Sequence, residues 1–276
     1  MKVIHVIRDT ADWDNLTLDN YFDQPFDNDL VKNEMIEMIR KWDVAMTPSY
    51  FKFRSVITKI AFKNHDRLDV DIRFSSSNNL EYELKSIPKP YIVLFVDDDD
   101  WHNPEVVQML KDEYSKDQNL DAMVWDHFVF LTNYKSFNWE KKEPYFLNAN
   151  RGYFHTNNYA LTDRFWDNLT EYDLEYLYKG VDCDLCYGHN MIDRRFKPLM
   201  NYKELYGRGV CSIANKTITS YSSFLKKRND LLNELSNIVL KCQTSQLEIP
   251  DEISWAKEEI KETMELYKTM QVKRTM

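Results

Sequence analysis

Glycine is the residue that this chain most conspicuously lacks. Five glycines occur among 276 residues, whereas average usage of about 7% predicts roughly twenty. They are Gly152, Gly180, Gly188, Gly207 and Gly209. P-loops and dinucleotide-binding turns need glycines between an early strand and the helix that follows it. The chain before residue 152 therefore contains neither of these phosphate-binding motifs.

Cysteines and long apolar runs are also scarce. The four cysteines are too few for a disulfide framework in a chain of this size and predict a reducing compartment. No run approaches the roughly 20 apolar residues of a transmembrane helix. The apolar segment 3–7 is too short for the core of a secretion signal and predicts a first strand. We therefore expect a cytoplasmic protein without a transmembrane segment.

The charge balance is acidic, with a formal net charge of −9. Long-range electrostatics then oppose binding to nucleic acid or to an anionic membrane, although a local basic groove would override them. Nucleic acid is thus a disfavoured partner. A hydrophobic content of 43% and an aromatic content of 14% indicate a folded globular chain and argue against disorder.

Four consecutive aspartates follow an apolar run at residues 91–96. We call Asp97, Asp98, Asp99 and Asp100 the aspartate cluster. The run predicts a buried strand, so the cluster places dense negative charge where the core meets solvent. Strand side chains alternate, so Asp97 and Asp99 leave one face together unless the chain turns at once. Two such carboxylates can share Mg²⁺ or Mn²⁺ and leave coordination positions open for a phosphate. The alternative is a solvated turn that caps the next helix.

Strand and helix signals alternate along the first half of the chain. Strands are predicted at 3–7, 68–74, 91–96 and 122–131, and helices at 30–42 and from Asn103-Pro104-Glu105 to residue 114. The apolar segment 51–62 fits either type. The series predicts an α/β fold with a mainly parallel sheet. Ligands of such sheets bind at the carboxyl ends of the strands, where Arg8, Asp9 and Ser75 would meet the aspartate cluster.

Two helical stretches, 222–242 and 251–272, end the chain. The second carries an apolar stripe of Ile253, Ala256, Ile260, Met264, Tyr267 and Met270. The stripe predicts packing on the main domain or on a second subunit. We therefore divide the chain into a main domain, residues 1–222, and a C-terminal helical extension, residues 223–276, through which a homo-oligomer could form.

Two segments resemble family 2-like glycosyltransferases of the GT-A fold. In residues 91–105 an apolar strand ends in Asp-x-Asp-Asp, the DXD metal motif of that family, and Pro-Glu then opens a helix. Residues 180–186, Gly-Val-Asp-Cys-Asp-Leu-Cys, resemble the family's Gly-Glu-Asp-x-Asp-Leu, with Val181 in the place of Glu. The first 90 residues match only in outline and lack the Pro-x-Tyr-Asn start. The four-aspartate run also resembles that of rhamnosyltransferases, more weakly.

The resemblance implies a Rossmann-like GT-A domain and a metal-dependent, inverting glycosyltransferase of the hexosyl- or pentosyltransferase class. Residues 1–133 would hold the nucleotide-sugar donor, and residues 134–222 the acceptor, a glycan or a hydroxylated DNA base. Mn²⁺ or Mg²⁺ would be the cofactor. The implied roles are metal binding by Asp97, Asp99, Asp100 and His155, donor binding by Arg8, Asp9, Ser75, Asp97 and Asp98, and general-base catalysis by Asp182, with Asp184 as the alternate.

Two other classes of function fit part of the pattern. Metal-dependent phosphohydrolases and nucleases also place aspartates at strand ends, but they usually draw them from several strands. A non-catalytic sugar-binding module of the same fold would keep the metal site without a positioned base. Asp182 therefore separates a transferase from a binding module.

Overall fold

The computed structural model describes residues 1–8, 12, 14–15, 47–75, 84–131, 145–148, 154, 157–170, 196–216 and 247–269. Its strands are β1 (Lys2–Arg8), β2 (Asp71–Ser75), β3 (Tyr91–Asp97), β4 (Trp101–His102), β5 (Ala122–Val124), β6 (Asp126–Leu131), β7 (Tyr145–Asn148), β8 (Tyr159–Thr162), β9 (Tyr202–Glu204) and β10 (Cys211–Lys216). Its α-helices are α1 (Thr47–His65), α2 (Val106–Lys116), α3 (Asp163–Asp167) and α4 (Lys257–Thr269), and short 3₁₀ helices span Lys197–Leu199 and Asp251–Ala256.

The strands form two sheets. The central sheet has six strands in the order β2-β1-β3-β8-β5-β9, and the second has four in the order β4-β10-β6-β7. In the central sheet β1 is parallel to β2 and to β3, and β5 is parallel to β9. Only β8 runs antiparallel to its two neighbours, β3 and β5. The predicted α/β class with a mostly parallel sheet is thus confirmed.

Strand β3 lies at the centre of the core, and both of its faces are covered. Val93 and Phe95 belong to one buried cluster, and Ile92 and Leu94 belong to another. Helix α2 supplies Val107 and Leu110 to the second cluster. Burial on both faces explains why this segment is continuously apolar instead of alternating.

The structure corrects the prediction of one strand over residues 122–131. That segment forms two strands, β5 in the central sheet and β6 in the second sheet. The chain changes sheets at Trp125, which is fully buried. Its indole N–H donates to the hydroxyl of Ser212 over 2.6 Å, and its backbone N–H donates to the Asn158 carbonyl over 3.0 Å. Satisfied polar groups allow the chain to break the ladder inside the core.

Helix α1 settles the ambiguous segment 51–62, and α4 packs against it. The rings of Phe53 and Tyr267 lie 5.1 Å apart, and the Lys63 ammonium lies 2.6 Å from the Glu262 carboxylate. Five members of the predicted apolar stripe are buried, namely Ile253, Ala256, Ile260, Met264 and Tyr267. The predicted helix at 222–242 and Met270 lie outside the described residues. Where the structure describes the chain, none of its helices has the length and apolar character that crossing a membrane requires.

Candidate functional site

The carboxyl ends of three parallel strands form one row at an edge of the central sheet. The register aligns Arg8 with Ser75 on one side and with Asp97 on the other. This brings together the backbone positions that the sequence predicted to converge. Asp9, which directly follows β1, lies outside the described residues. The row is where parallel α/β sheets bind their ligands.

The aspartate cluster forms a tight turn between the two sheets. The Asp100 N–H donates to the Asp97 carbonyl over 3.1 Å, and β4 of the second sheet follows at once. The immediate turn means that the four side chains do not continue the alternation of a strand. Asp97 is partly exposed, whereas Asp98, Asp99 and Asp100 are only 1%, 5% and 1% exposed. Three carboxylates are therefore buried at the end of the core strand.

An arginine from α1 lies against this turn. Arg54 is 7% exposed; its Nη2 lies 2.5 Å from Asp98 Oδ1 and its Nη1 lies 2.9 Å from Asp99 Oδ2. Thr58, one helical turn further on, donates from its hydroxyl to Asp98 Oδ2 over 3.1 Å. Arg54 was not among the predicted site residues. Its spacing of four from Thr58 places both on one face of a helix, but other polar residues of α1 have the same spacing.

Further contacts hold the segment after the turn. The backbone N–H of Asn215 in β10 donates to Asp100 Oδ1 over 2.7 Å. Asn64, near the end of α1, brackets the His102 backbone by donating to its carbonyl over 3.0 Å and accepting from its N–H over 2.9 Å. Helix α1 is thus fixed to the turn near residue 54 and to β4 near residue 64, so the aspartates are held from two elements.

Two buried amide side chains adjoin this segment. The side chains of Asn157 and Asn215 are fully buried, and neither has a hydrogen-bond partner within the described part of the chain. The Asn157 carbonyl lies 2.8 Å from His102 Nε2. Buried polar groups of this kind occur at catalytic sites and where water or an ion binds. Neither amide was a predicted site residue.

The donor set fits a hard divalent cation by its chemistry, because Mg²⁺ and Mn²⁺ prefer carboxylate oxygens. Across the described ranges, however, no three His, Cys, Asp or Glu side chains are grouped as ligands for a metal ion. Mg²⁺ commonly binds through one or two carboxylates and completes its shell with water and substrate phosphates. The aspartate cluster fits binding through one or two carboxylates, in which the substrate supplies the remaining ligands.

Three fully buried histidines lie beside the turn, one each from β1, α1 and β4. The rings of His5 and His65 are 4.8 Å apart, and those of His5 and His102 are 4.9 Å apart. Burial lowers the pKa of His65 to about 3 and that of His102 to about 4. Burial, and then the two neighbouring imidazoles, lower the pKa of His5 well below its ordinary value. These rings are neutral at pH 7 and do not offset the charge of the aspartates.

Besides Asp9, three more predicted site residues lie outside the described residues. They are His155 and the two base candidates, Asp182 and Asp184. Their roles remain predictions from the sequence. Of the predicted site, the structure therefore aligns the backbone positions of Arg8, Ser75 and Asp97, and it adds the side chains of Arg54 and Thr58 from α1.

No protein-family model matches the sequence, and no curated protein does. Among the solved structures that resemble the chain are two of TarS residues 1–349 from S. aureus. The first is 13% identical, with a TM-score of 0.34, and the match covers 97% of this chain and 72% of TarS 1–349. The second is the complex with UDP-GlcNAc, 13% identical, with a TM-score of 0.36 and coverage of 96% and 73%. Scores this low do not establish a shared fold.

Proposed function

We propose that this protein is a metal-dependent, inverting glycosyltransferase that moves a sugar from a nucleotide-sugar donor to an acceptor hydroxyl. One observation supports this most. The aspartate cluster, three of whose four members are buried, lies at the end of β3 in the same row as the ends of β1 and β2, where α/β sheets bind ligands. The second support comes from the sequence. Residues 91–105 resemble the metal-binding segment of family 2-like glycosyltransferases, which implies that the ligand bound at this row is a nucleotide sugar.

In the proposed reaction the acceptor oxygen attacks the anomeric carbon while the bond from that carbon to the diphosphate oxygen breaks. A divalent ion held by Asp97, with Asp99 or Asp100, would neutralise the leaving diphosphate. Asp182 takes the proton of the acceptor hydroxyl as the new bond forms, and Asp184 is the alternate base. Arg8, Asp9, Ser75 and Asp98 would contact the donor, and His155 would contact the metal or the acceptor.

The sheet supports a single transferase domain over residues 1–222. Strands β8 and β9, which belong to the acceptor half proposed for residues 134–222, pair with β3 and β5 of the donor half. A shared sheet would hold donor and acceptor in a fixed relation, which bimolecular transfer requires. We propose a cytoplasmic location for this domain, because its few cysteines predict a reducing compartment.

A phosphohydrolase or nuclease is the second candidate. Such enzymes stabilise the attacking and leaving oxygens with metals held by carboxylates from several strands. In the described part of this chain the candidate carboxylates come from one turn, and two of them bind Arg54. That arrangement favours a transferase, in which the diphosphate itself completes the metal shell.

The proposal predicts that Asp97→Asn abolishes Mn²⁺-dependent donor binding. Asp97 is the partly exposed member of the cluster, so the variant should fold normally while losing a charged metal ligand. A panel of nucleotide sugars with Mn²⁺ should raise the melting temperature of the wild-type protein by several degrees, because a ligand that binds only the folded state stabilises it. The variant should show no shift with the same ligands.

Asp71→Asn is the matched control. Asp71 begins β2 at the opposite end of the same sheet and pairs with Lys2 at the surface. Its variant should respond to the donor as the wild-type protein does. If Asp97→Asn keeps the wild-type affinity by calorimetry, the proposed metal site is wrong. If no nucleotide sugar binds the wild-type protein with either metal, the transferase proposal itself is wrong.

A second prediction concerns the base. Asp182→Asn should bind the donor with unchanged affinity and transfer the sugar about 10²- to 10⁴-fold more slowly, because a general base acts only in the transition state. Single-turnover transfer, measured beside calorimetric binding, separates the two effects. Slow transfer by Asp184→Asn with normal transfer by Asp182→Asn would exchange the two roles. Normal rates in both variants would place the base elsewhere.

A further inference from the structure

Arg54 is a buried cation that contacts two carboxylates of the aspartate cluster. Its guanidinium contacts Asp98 and Asp99 at the same time, at 2.5 and 2.9 Å, and all three side chains are less than a tenth exposed. A planar guanidinium with fixed N–H directions suits two carboxylates better than the point charge of a lysine does. Arg54 thus occupies an oxygen atom of Asp99, a predicted metal ligand, and one of Asp98, a predicted donor-binding residue.

We propose that Arg54 is a positioning residue that sets the cation affinity of the aspartate cluster, so that a divalent ion binds tightly only together with the donor diphosphate. This inference rests on the proposed function and names how the same site is regulated. The guanidinium holds Asp98 and Asp99 in the absence of a ligand. A metal ion that arrives alone must displace this contact, whereas one that arrives with a diphosphate brings further oxygen ligands.

The physical basis is competition for buried carboxylates. Two adjacent buried anions repel each other and disfavour the charged state unless a cation neutralises them. Arg54 already neutralises part of this charge, and Thr58 donates a further hydrogen bond to Asp98. Removal of the guanidinium would take away this part of the neutralisation and would uncover the oxygen atoms that it contacts, which a metal ion could then bind. The cluster should then bind Mn²⁺ more tightly, not more weakly.

Arg54→Met tests this with Mn²⁺ alone and without any nucleotide. We expect its melting temperature in EDTA to fall well below that of the wild-type protein, and millimolar Mn²⁺ to recover at least half of the loss. Calorimetry should show at least tenfold tighter Mn²⁺ binding than in the wild-type protein. Arg54→Lys keeps one charge but cannot bridge both carboxylates, so its Mn²⁺ affinity should lie between the two.

Arg67→Met is the matched control, because Arg67 forms an ion pair with the buried carboxylate of Glu259. That variant also removes a cation from a buried carboxylate, although Arg67 itself is partly exposed, and it leaves one carboxylate and not two. Its melting temperature should fall, and Mn²⁺ should recover none of the loss. An equal Mn²⁺ response in both methionine variants would overturn the inference, because the response would then not belong to the aspartate cluster.

If Arg54→Met folds only with metal present, its refolding yield should rise with Mn²⁺ concentration. The Mn²⁺ affinity is then measured by calorimetry on Arg54→Lys. Mn²⁺ affinity equal to that of the wild-type protein in both Arg54 variants would overturn the inference, as would weaker binding. These outcomes differ from failure of the proposed function, which would appear as absence of donor binding by the wild-type protein. A tight Mn²⁺ site in Arg54→Met would stand even then.

Discussion

Acidification to about pH 5 is expected to unfold this protein cooperatively. His5, His65 and His102 are fully buried, and burial holds each pKa below its ordinary value. The unfolded chain binds protons at these imidazoles below about pH 6.5, and the folded chain does not. Stability is therefore complete above that pH and falls as the pH drops toward the folded pKa values of His65 and His102, about 3 and about 4.

The expected loss of unfolding free energy is large. Between pH 7 and pH 5 each histidine costs about 2 kcal/mol of unfolding free energy. Three histidines then cost about 6 kcal/mol, which is comparable to the whole stability of about 5 to 15 kcal/mol of a typical domain. Urea unfolding at pH 7.5, 6.5 and 5.5 measures this dependence directly. A free energy that stays constant over that range would show that folding does not lower the pKa of these rings.

His65→Leu isolates one of the three contributions. Leucine replaces a buried ring with an apolar side chain that cannot bind a proton. The slope of the unfolding free energy against pH should therefore fall by about 1.4 kcal/mol per pH unit, the value for one proton. At pH 7.5 the pH-linked contribution is absent, so any difference there reports packing alone. An unchanged slope would mean that His65 does not contribute to the acid sensitivity.

The region around the aspartate cluster could be predicted because its signals are local. Six apolar residues predict β3, and Asn103-Pro104-Glu105 predicts the start of α2, whose first residue is Val106. Asn103 accepts the Glu105 N–H over 2.8 Å, so the turn before the helix rests on residues two apart. The row formed by Arg8, Ser75 and Asp97 then follows from the parallel topology alone.

The rest of the fold and of the candidate site depends on contacts between residues that are distant in sequence. Arg54 reaches Asp98 across 44 positions of sequence, and no local pattern reports such a pairing. The division of residues 122–131 between two sheets has the same cause. An apolar run predicts that a segment is buried, but it does not predict which sheet the segment joins. Here the hydrogen-bond partners of Trp125 are the distant residues Asn158 and Ser212. The insertion of β8 beside β3 is likewise a property of the whole chain.

Removal of the C-terminal segment, residues 247–276, is expected to prevent folding. The segment carries Ile253, Ile260, Met264 and Tyr267, all buried. Burial of large apolar side chains contributes about 1.5 to 3 kcal/mol each, so their loss is comparable to a domain's entire margin of stability. It would also uncover the face of α1 that carries Phe53, on the helix that holds Arg54 against the aspartates. The truncated chain should aggregate or lack a cooperative thermal transition.

A single substitution tests the same packing within the full chain. Tyr267 is fully buried and its ring lies 5.1 Å from that of Phe53, so Tyr267→Ala should cost about 3 to 5 kcal/mol, as other large-to-small aromatic substitutions in cores do. Leu266→Ala, at a partly buried position on the same helix, is the control and should cost less.

A truncated protein that stays monomeric, melts as the full chain does and binds donor with Mn²⁺ would contradict the prediction that removal of residues 247–276 prevents folding. The extension would then serve to join a second subunit or an acceptor, because α1 would have been shown to hold its place against the aspartates without it.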